Sequence, residues 1–133
     1  MDLKITKADL DEDNFYIGSL KGDVVVDGSV EIEANLGYVQ FQFLLKTSGK
    51  IITKAGSGIE AGEGIEAGEG IEAGEGIEAG FQVICKRLSV KLRIFAGLCL
   101  WRKPTEDEMT IQCERLVSGE ICFGKLVETK AKS

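Results

Sequence analysis

The sequence predicts an all-β fold: a single-domain β-solenoid built from hexapeptide repeats. Three observations carry this reading. Residues 59–80 read IEAGEGIEAGEGIEAGEGIEAG, which places Ile at 59, 65, 71 and 77 and Ala at 61, 67, 73 and 79. The same beat continues, degraded, on both sides of that block. A chain of 133 residues has room for one core and hardly for a second domain. A helix would need apolar residues at three- and four-residue spacing, and the recurring glycines would each cost it about 1 kcal/mol. An Ile-Glu-Ala triplet instead suits a short strand, with Ile and Ala on one face, Glu on the other and glycines at the corners.

Taken in order, residues 1–23 are acidic and are expected to form an N-terminal cap, followed by coils over 24–100. Val24/Val26, Val30/Ile32 and Leu36/Tyr38 are apolar pairs repeating every six residues, and Thr53/Ala55 adjoins the perfect block in phase. Val39, Phe41, Phe43 and Leu45 alternate over a longer stretch and predict one regular strand with a buried face. Downstream, Ile77/Ala79, Val83/Cys85, Leu88/Val90 and Ile94/Ala96 keep the pattern. Ile111, Leu116, Ile121 and Leu126 then recur every five positions, so 101–133 is expected to cap the rod or to change its coil geometry. The one helical turn expected lies near 104–109, where Thr105 can cap and Glu106, Asp107 and Glu108 suit the positive helix end. Two cross-sections satisfy the period. One has three hexads per coil, as in left-handed parallel β-helices; the other is a flatter coil of about twelve residues.

Charge is segregated within a net of -6. Residues 53–80 sum to -6 and residues 81–103 to +6. Glu60, Glu66, Glu72 and Glu78 read as one outward row and Glu63, Glu69 and Glu75 as another. A solvated acidic face explains them at under about 1 kcal/mol of repulsion per pair. A stiff row of carboxylates can also imitate phosphates and occupy a basic channel. Lys86, Arg87, Lys91, Arg93, Arg102 and Lys103 form a secondary basic patch. Three readings fit the patch: the solvated side of a strand, a partner for the Glu rows, or a nucleic-acid contact, which the net charge disfavours.

Much chemistry is excluded. The chain has no histidine, so imidazole bases and histidine-ligated metal sites are absent. GSGIEAG and GEGIEAG do not match a phosphate-binding loop, and the RTX calcium pattern is missing. No cofactor, metal or catalytic residue is expected. Cys85, Cys99, Cys113 and Cys122 form no CxxC pair and are expected as reduced, mainly core thiols. Without a secretion signal or an apolar run near 18 residues, the expectation is a cytoplasmic protein with no membrane contact.

The GIEAGE block followed by RIFAGLCLWRKPTEDEMTI and SGEICFGKLVE resembles a group of small uncharacterised proteins from Firmicutes and gut metagenomes, often on mobile elements. The resemblance covers about residues 30–128, and its specific part is Arg93 to Glu108. It implies an anti-CRISPR or anti-restriction role, and acidic pentapeptide-repeat solenoids are similar in acting as DNA mimics. The expected function is therefore a non-enzymatic inhibitor that binds a protein partner, such as a nucleic-acid-binding nuclease, through its glutamates. The alternative is a self-assembling module similar to bactofilins, forming dimers or filaments.

Overall fold

A computed structural model describes residues 2–99 and 103–128 of the protein. β1 (Leu3–Ile5) precedes the first coil, which contains β2 (Val24–Val26), β3 (Val30–Ile32) and β4 (Gly37–Phe41). The second coil holds β5 (Leu45–Thr47), β6 (Ile51–Thr53) and β7 (Ser57–Ala61), and the third β8 (Ile65–Ala67), β9 (Gly70–Ala73) and β10 (Ile77–Ala79). In the fourth, β11 (Val83–Ile84) is followed by β12 (Arg87–Ala96), which turns a corner within its length. β13 (Thr110–Cys113), β14 (Arg115–Phe123) and β15 (Lys125–Glu128) end the rod.

The strands stack, all parallel, into three faces. Face one runs β2, β5, β8, β11, β13, β15. Face two runs β1, β3, β6, β9, then the first halves of β12 and β14. Face three runs β4, β7, β10, then the second halves of β12 and β14. Ile59 pairs with Ile77, eighteen residues on, so the perfect block closes at three hexads per coil and the twelve-residue alternative falls.

Each inward pair holds the large residue of one layer against that of the next. Ile51, Ile71 and Leu88 follow one another on face two, and Val39, Ile59, Ile77 and Ile94 on face three, all essentially buried. Burying such a side chain is worth about 1.5–3 kcal/mol. The core is therefore a column of aliphatic layers, which accounts for the small number of aromatics.

The degraded coils depart from the six-residue beat where a corner is longer. Val24 pairs with Leu45, twenty-one residues on, and Leu45 with Ile65, twenty on. The extra residues lie between faces two and three, where Asn35 (φ 62) and Gly56 (φ 81) take left-handed conformations. This corrects two sequence-based pairings and one strand. The inward pair after β3 is Val39/Phe41 rather than Leu36/Tyr38, and the pair before the block is Ile51/Thr53, leaving Ala55 exposed. The expected continuous strand over Val39–Leu45 breaks at residues 42–44, since the coil must turn there, and Phe43 sits at the corner.

At the C-terminal end the five-residue beat builds another, smaller coil on the same ladder. Ile111 pairs with Leu126, fifteen residues on, with Leu116 and Ile121 on the two faces between. The turn expected near 104–109 is a single 3-10 turn at Asp107–Met109, where the Thr105 hydroxyl accepts the Glu108 N–H at 3.4 Å. Two further 3-10 turns, Lys7–Asp9 and Ile17–Ser19, were not anticipated; they lie in the segment folded over the first coil. No helix among the described residues is long and apolar enough to cross a membrane.

Over that first coil, Gln40 is gripped from both sides. Its N–H donates to Asn14 O at 2.9 Å, and its carbonyl accepts the Tyr16 N–H at 2.8 Å. Asn14, at φ 70, donates through Nδ2 to the carbonyls of Leu36 (2.8 Å) and Tyr38 (2.7 Å). The Tyr16 ring lies 5.7 Å from that of Phe41 and helps to bury it.

Candidate functional site: an acidic groove on the third face

The three-faced winding redistributes the glutamates. With eighteen residues per turn, Glu60 falls on face three, Glu66 on face one and Glu72 on face two, so the two rows read from the sequence are not continuous rows in space. Only Glu78 stacks directly on Glu60. Glu63, Glu69 and Glu75 occupy three different corners.

Their surroundings differ. Glu66 lies in register between Lys46 and Ile84. Glu69 and Glu72 line a shallow groove of about 610 Å3 together with Lys50, Lys86 and Arg87. Part of the basic patch thus sits beside part of the acidic set. Arg93 reaches Glu120 at 3.7 Å, both well exposed. Lys91 and Lys103 are exposed, while Arg102 lies outside the described residues. The described members of the patch are therefore dispersed around the rod rather than gathered into one contact surface.

Glu60, Glu63 and Glu78 share a larger groove, about 780 Å3, with Phe15, Phe43 and Leu98 on its walls. Its described lining contains three carboxylates and neither lysine nor arginine. The positions follow from the fold: Glu60 and Glu78 point outward from β7 and β10, and Glu63 occupies the next corner. Phe15 is brought in by its bridge to Gln40. Leu98 and Cys99 are fixed by N–H bonds to the Ala79 and Gly80 carbonyls, at 3.1 and 3.0 Å.

Electrostatics reflect this crowding. Partial burial raises the Glu78 pKa, and the neighbouring Glu60 charge raises it further. Tyr38, at the start of β4, is raised first by burial and then by Glu78, Glu75 and Glu60. The groove is a focus of negative potential with apolar walls. Such a site attracts a cation carried on an apolar stem, as in lysine, arginine or a basic peptide.

No group of three or more metal-ligating side chains occurs among the described residues. Glu60 and Glu78 are neighbours on adjacent parallel strands, so they approach a ligand from one side instead of flanking a bond from two. All four cysteines are free, and burial pushes the Cys85 thiol up to about 12. Sequence reasoning found the glutamates but missed Phe15, Phe43 and Leu98, which join them only through the winding. No protein-family model matches the chain, and neither a curated protein nor a solved structure matches it.

Proposed function

We propose that this protein is a non-enzymatic binding module that captures a basic segment of a protein partner in the acidic groove of its third face. One observation carries the reading: Glu60 and Glu78, stacked on adjacent coils, line an apolar-walled groove whose described lining has no cation, while Glu69 and Glu72 sit beside lysine and arginine. In the setting the sequence resemblance implies, the partner is a defence nuclease, and the segment is one of those lining its nucleic-acid channel. Glu60, Glu63 and Glu78 are the principal contacts, with Glu75 adding to the local field. Glu66, Glu69 and Glu72 belong to other faces and contribute only long-range charge, screened beyond about 10 Å at 0.1 M salt. The mimicry is then of a short cluster of phosphates, not of an extended strand.

The test is affinity capture from a bacterial host lysate over a series of salt concentrations, comparing three proteins. Glu60→Gln/Glu78→Gln is expected to lose the basic partner that wild type retains, while Glu66→Gln/Glu72→Gln keeps it. Equal retention by all three refutes the groove as the contact. A captured nuclease whose DNA cleavage is not slowed by the protein refutes the inhibitory half of the proposal.

A further inference from the structure

The acidic pair of face three is framed by aromatic rings that the sequence scatters over eighty residues. Along the outward side of that face, Gln40, Glu60, Glu78 and Phe95 stand in register on β4, β7, β10 and β12, one strand spacing of about 4.8 Å apart. Glu60 and Glu78 therefore leave adjacent coils in the same direction, and the next rung beyond Glu78 is a ring. Phe95 is turned outward because Ile94 and Ala96, on either side of it, are buried in the core.

Two residues back along the strands, roughly 6–7 Å away, runs a second outward column, Tyr38, Gly58 and Gly76. The Tyr38 side chain lies along the rod across both glycines. A Cβ on Gly58 would stand 3.1 Å from Cε2 of the ring, and a Cβ on Gly76 would collide with the phenolic oxygen. The ring is thus laid down beside the acidic pair, in agreement with the charges of Glu78, Glu75 and Glu60 that add to burial in raising its pKa. Arg93, on the same half of β12, is engaged by Glu120 at 3.7 Å. On the opposite flank Phe15 and Phe43 wall the groove.

Lysine and arginine meet such a frame differently. An ammonium is a compact, strongly hydrated charge that must shed its water to pass between rings. A guanidinium is planar and weakly hydrated, donates N–H groups from its edge and stacks through its faces. Its edge can serve two carboxylates one rung apart while a ring covers a face. We propose that this site selects arginine over lysine in the segment it captures, with Phe95 and Tyr38 as the specificity-determining residues and Glu60 and Glu78 as the charge partners. This deepens the proposed function and rests on it.

NMR titration of the full chain with two blocked peptides tests the selectivity: acetyl-Gly-Leu-Arg-Gly-Leu-Arg-Gly-amide, and the same peptide with lysine for each arginine. Wild type is expected to bind the arginine peptide about tenfold more tightly, the scale of a partly desolvated contact between a cation and a ring. Phe95→Leu is expected to bring the two peptides within about twofold of each other while still binding both, because the carboxylates remain. Glu60→Gln/Glu78→Gln is expected to lose both peptides. Should Phe95→Leu fail to fold, wild type supplies the second readout: the δ protons of the bound arginine are expected to shift upfield under the ring current, as they would not beside carboxylates alone. Equal affinity of wild type for the two peptides, an arginine preference that survives in folded Phe95→Leu, or δ protons that do not move would each overturn the selectivity while leaving the groove as the contact for a basic segment. Binding of neither peptide, or undiminished binding of both by Glu60→Gln/Glu78→Gln, would overturn the groove and this inference with it.

Discussion

Gly68 and Gly70 flank Glu69 in the repeated AGEGIE context, yet the same substitution is expected to act oppositely at the two positions. A Cβ on Gly68 would fall inside contact distance of the Ser48 carbonyl oxygen, 2.9 Å from its carbonyl carbon and 3.2 Å from its Cα. Carbon atoms prefer about 3.5–4.0 Å, so the coils would have to part locally by roughly 0.5–1 Å. That movement pulls on the Gly68 N–H donated to Thr47 O at 2.9 Å. Overpacking costs about 1–3 kcal/mol and a spoiled hydrogen bond about 1–3 more, so Gly68→Ala should lose about 2–6 kcal/mol. At Gly70 the nearest atom to an added Cβ is the Arg87 carbonyl oxygen at 3.4 Å, an ordinary contact, and the backbone there is not left-handed. Alanine then acts mainly by restricting the unfolded chain, worth about 0.4–1 kcal/mol in favour of folding. Urea unfolding followed by circular dichroism measures both changes as midpoint shifts at constant slope. Equal losses, or the reverse order, would refute the argument that the approach of successive coils dictates Gly68 and leaves room at Gly70.

Three other outcomes follow from named contacts. Because folding raises the Glu78 pKa, the favourable contribution of its protonated form is complete below the ordinary carboxylate pKa and is lost as pH rises through the raised one. Glu78→Gln should therefore exceed wild type in melting temperature at neutral pH, by the equivalent of under about 1 kcal/mol, with the gap closing in acid; a constant gap across pH would contradict this. Asn14→Ala should cost about 1–3 kcal/mol in denaturant unfolding, because two carbonyls lose their donor and alanine tolerates the left-handed conformation less well than asparagine. Maleimide at neutral pH should label Cys122 rapidly and leave Cys85 unmodified until denaturant is added, as peptide mass mapping would reveal; fast labelling of folded Cys85 would contradict its burial.

The class of fold was legible because the inward pair, one large and one small residue two apart, is written into the sequence wherever the coil is regular. Ile77/Ala79, Val83/Cys85, Leu88/Val90 and Ile94/Ala96 are all buried as their spacing indicates. Legibility failed where a corner lengthens. The insertion around Asn35 and Gly37 moved the third-face pair from Leu36/Tyr38 to Val39/Phe41, and nothing local to those residues announces the shift. The groove was half legible. Glutamate positions can be read along the chain, but which of them meet depends on residues per turn, a quantity set by strand registry. The aromatic wall was not legible, because Phe15 reaches Glu60 only by lying on Gln40, through bonds made by main-chain atoms. The five-residue beat of the tail was visible, and its reduced coil is the geometry such a beat closes into when each side loses one residue.

Closure at three hexads makes the perfect block behave like a dial with three stops. Slippage between identical units changes copy number one hexad at a time, and each such step turns everything beyond the block by a third of a revolution. Phe15 and Gln40 are fixed upstream, whereas Leu98 and Cys99 are carried downstream against Ala79 and Gly80. A gain or loss of one or two hexads swings these two walls onto different sides of the molecule. Only a change by three brings them back into line, displaced along the axis by one strand spacing of about 4.8 Å.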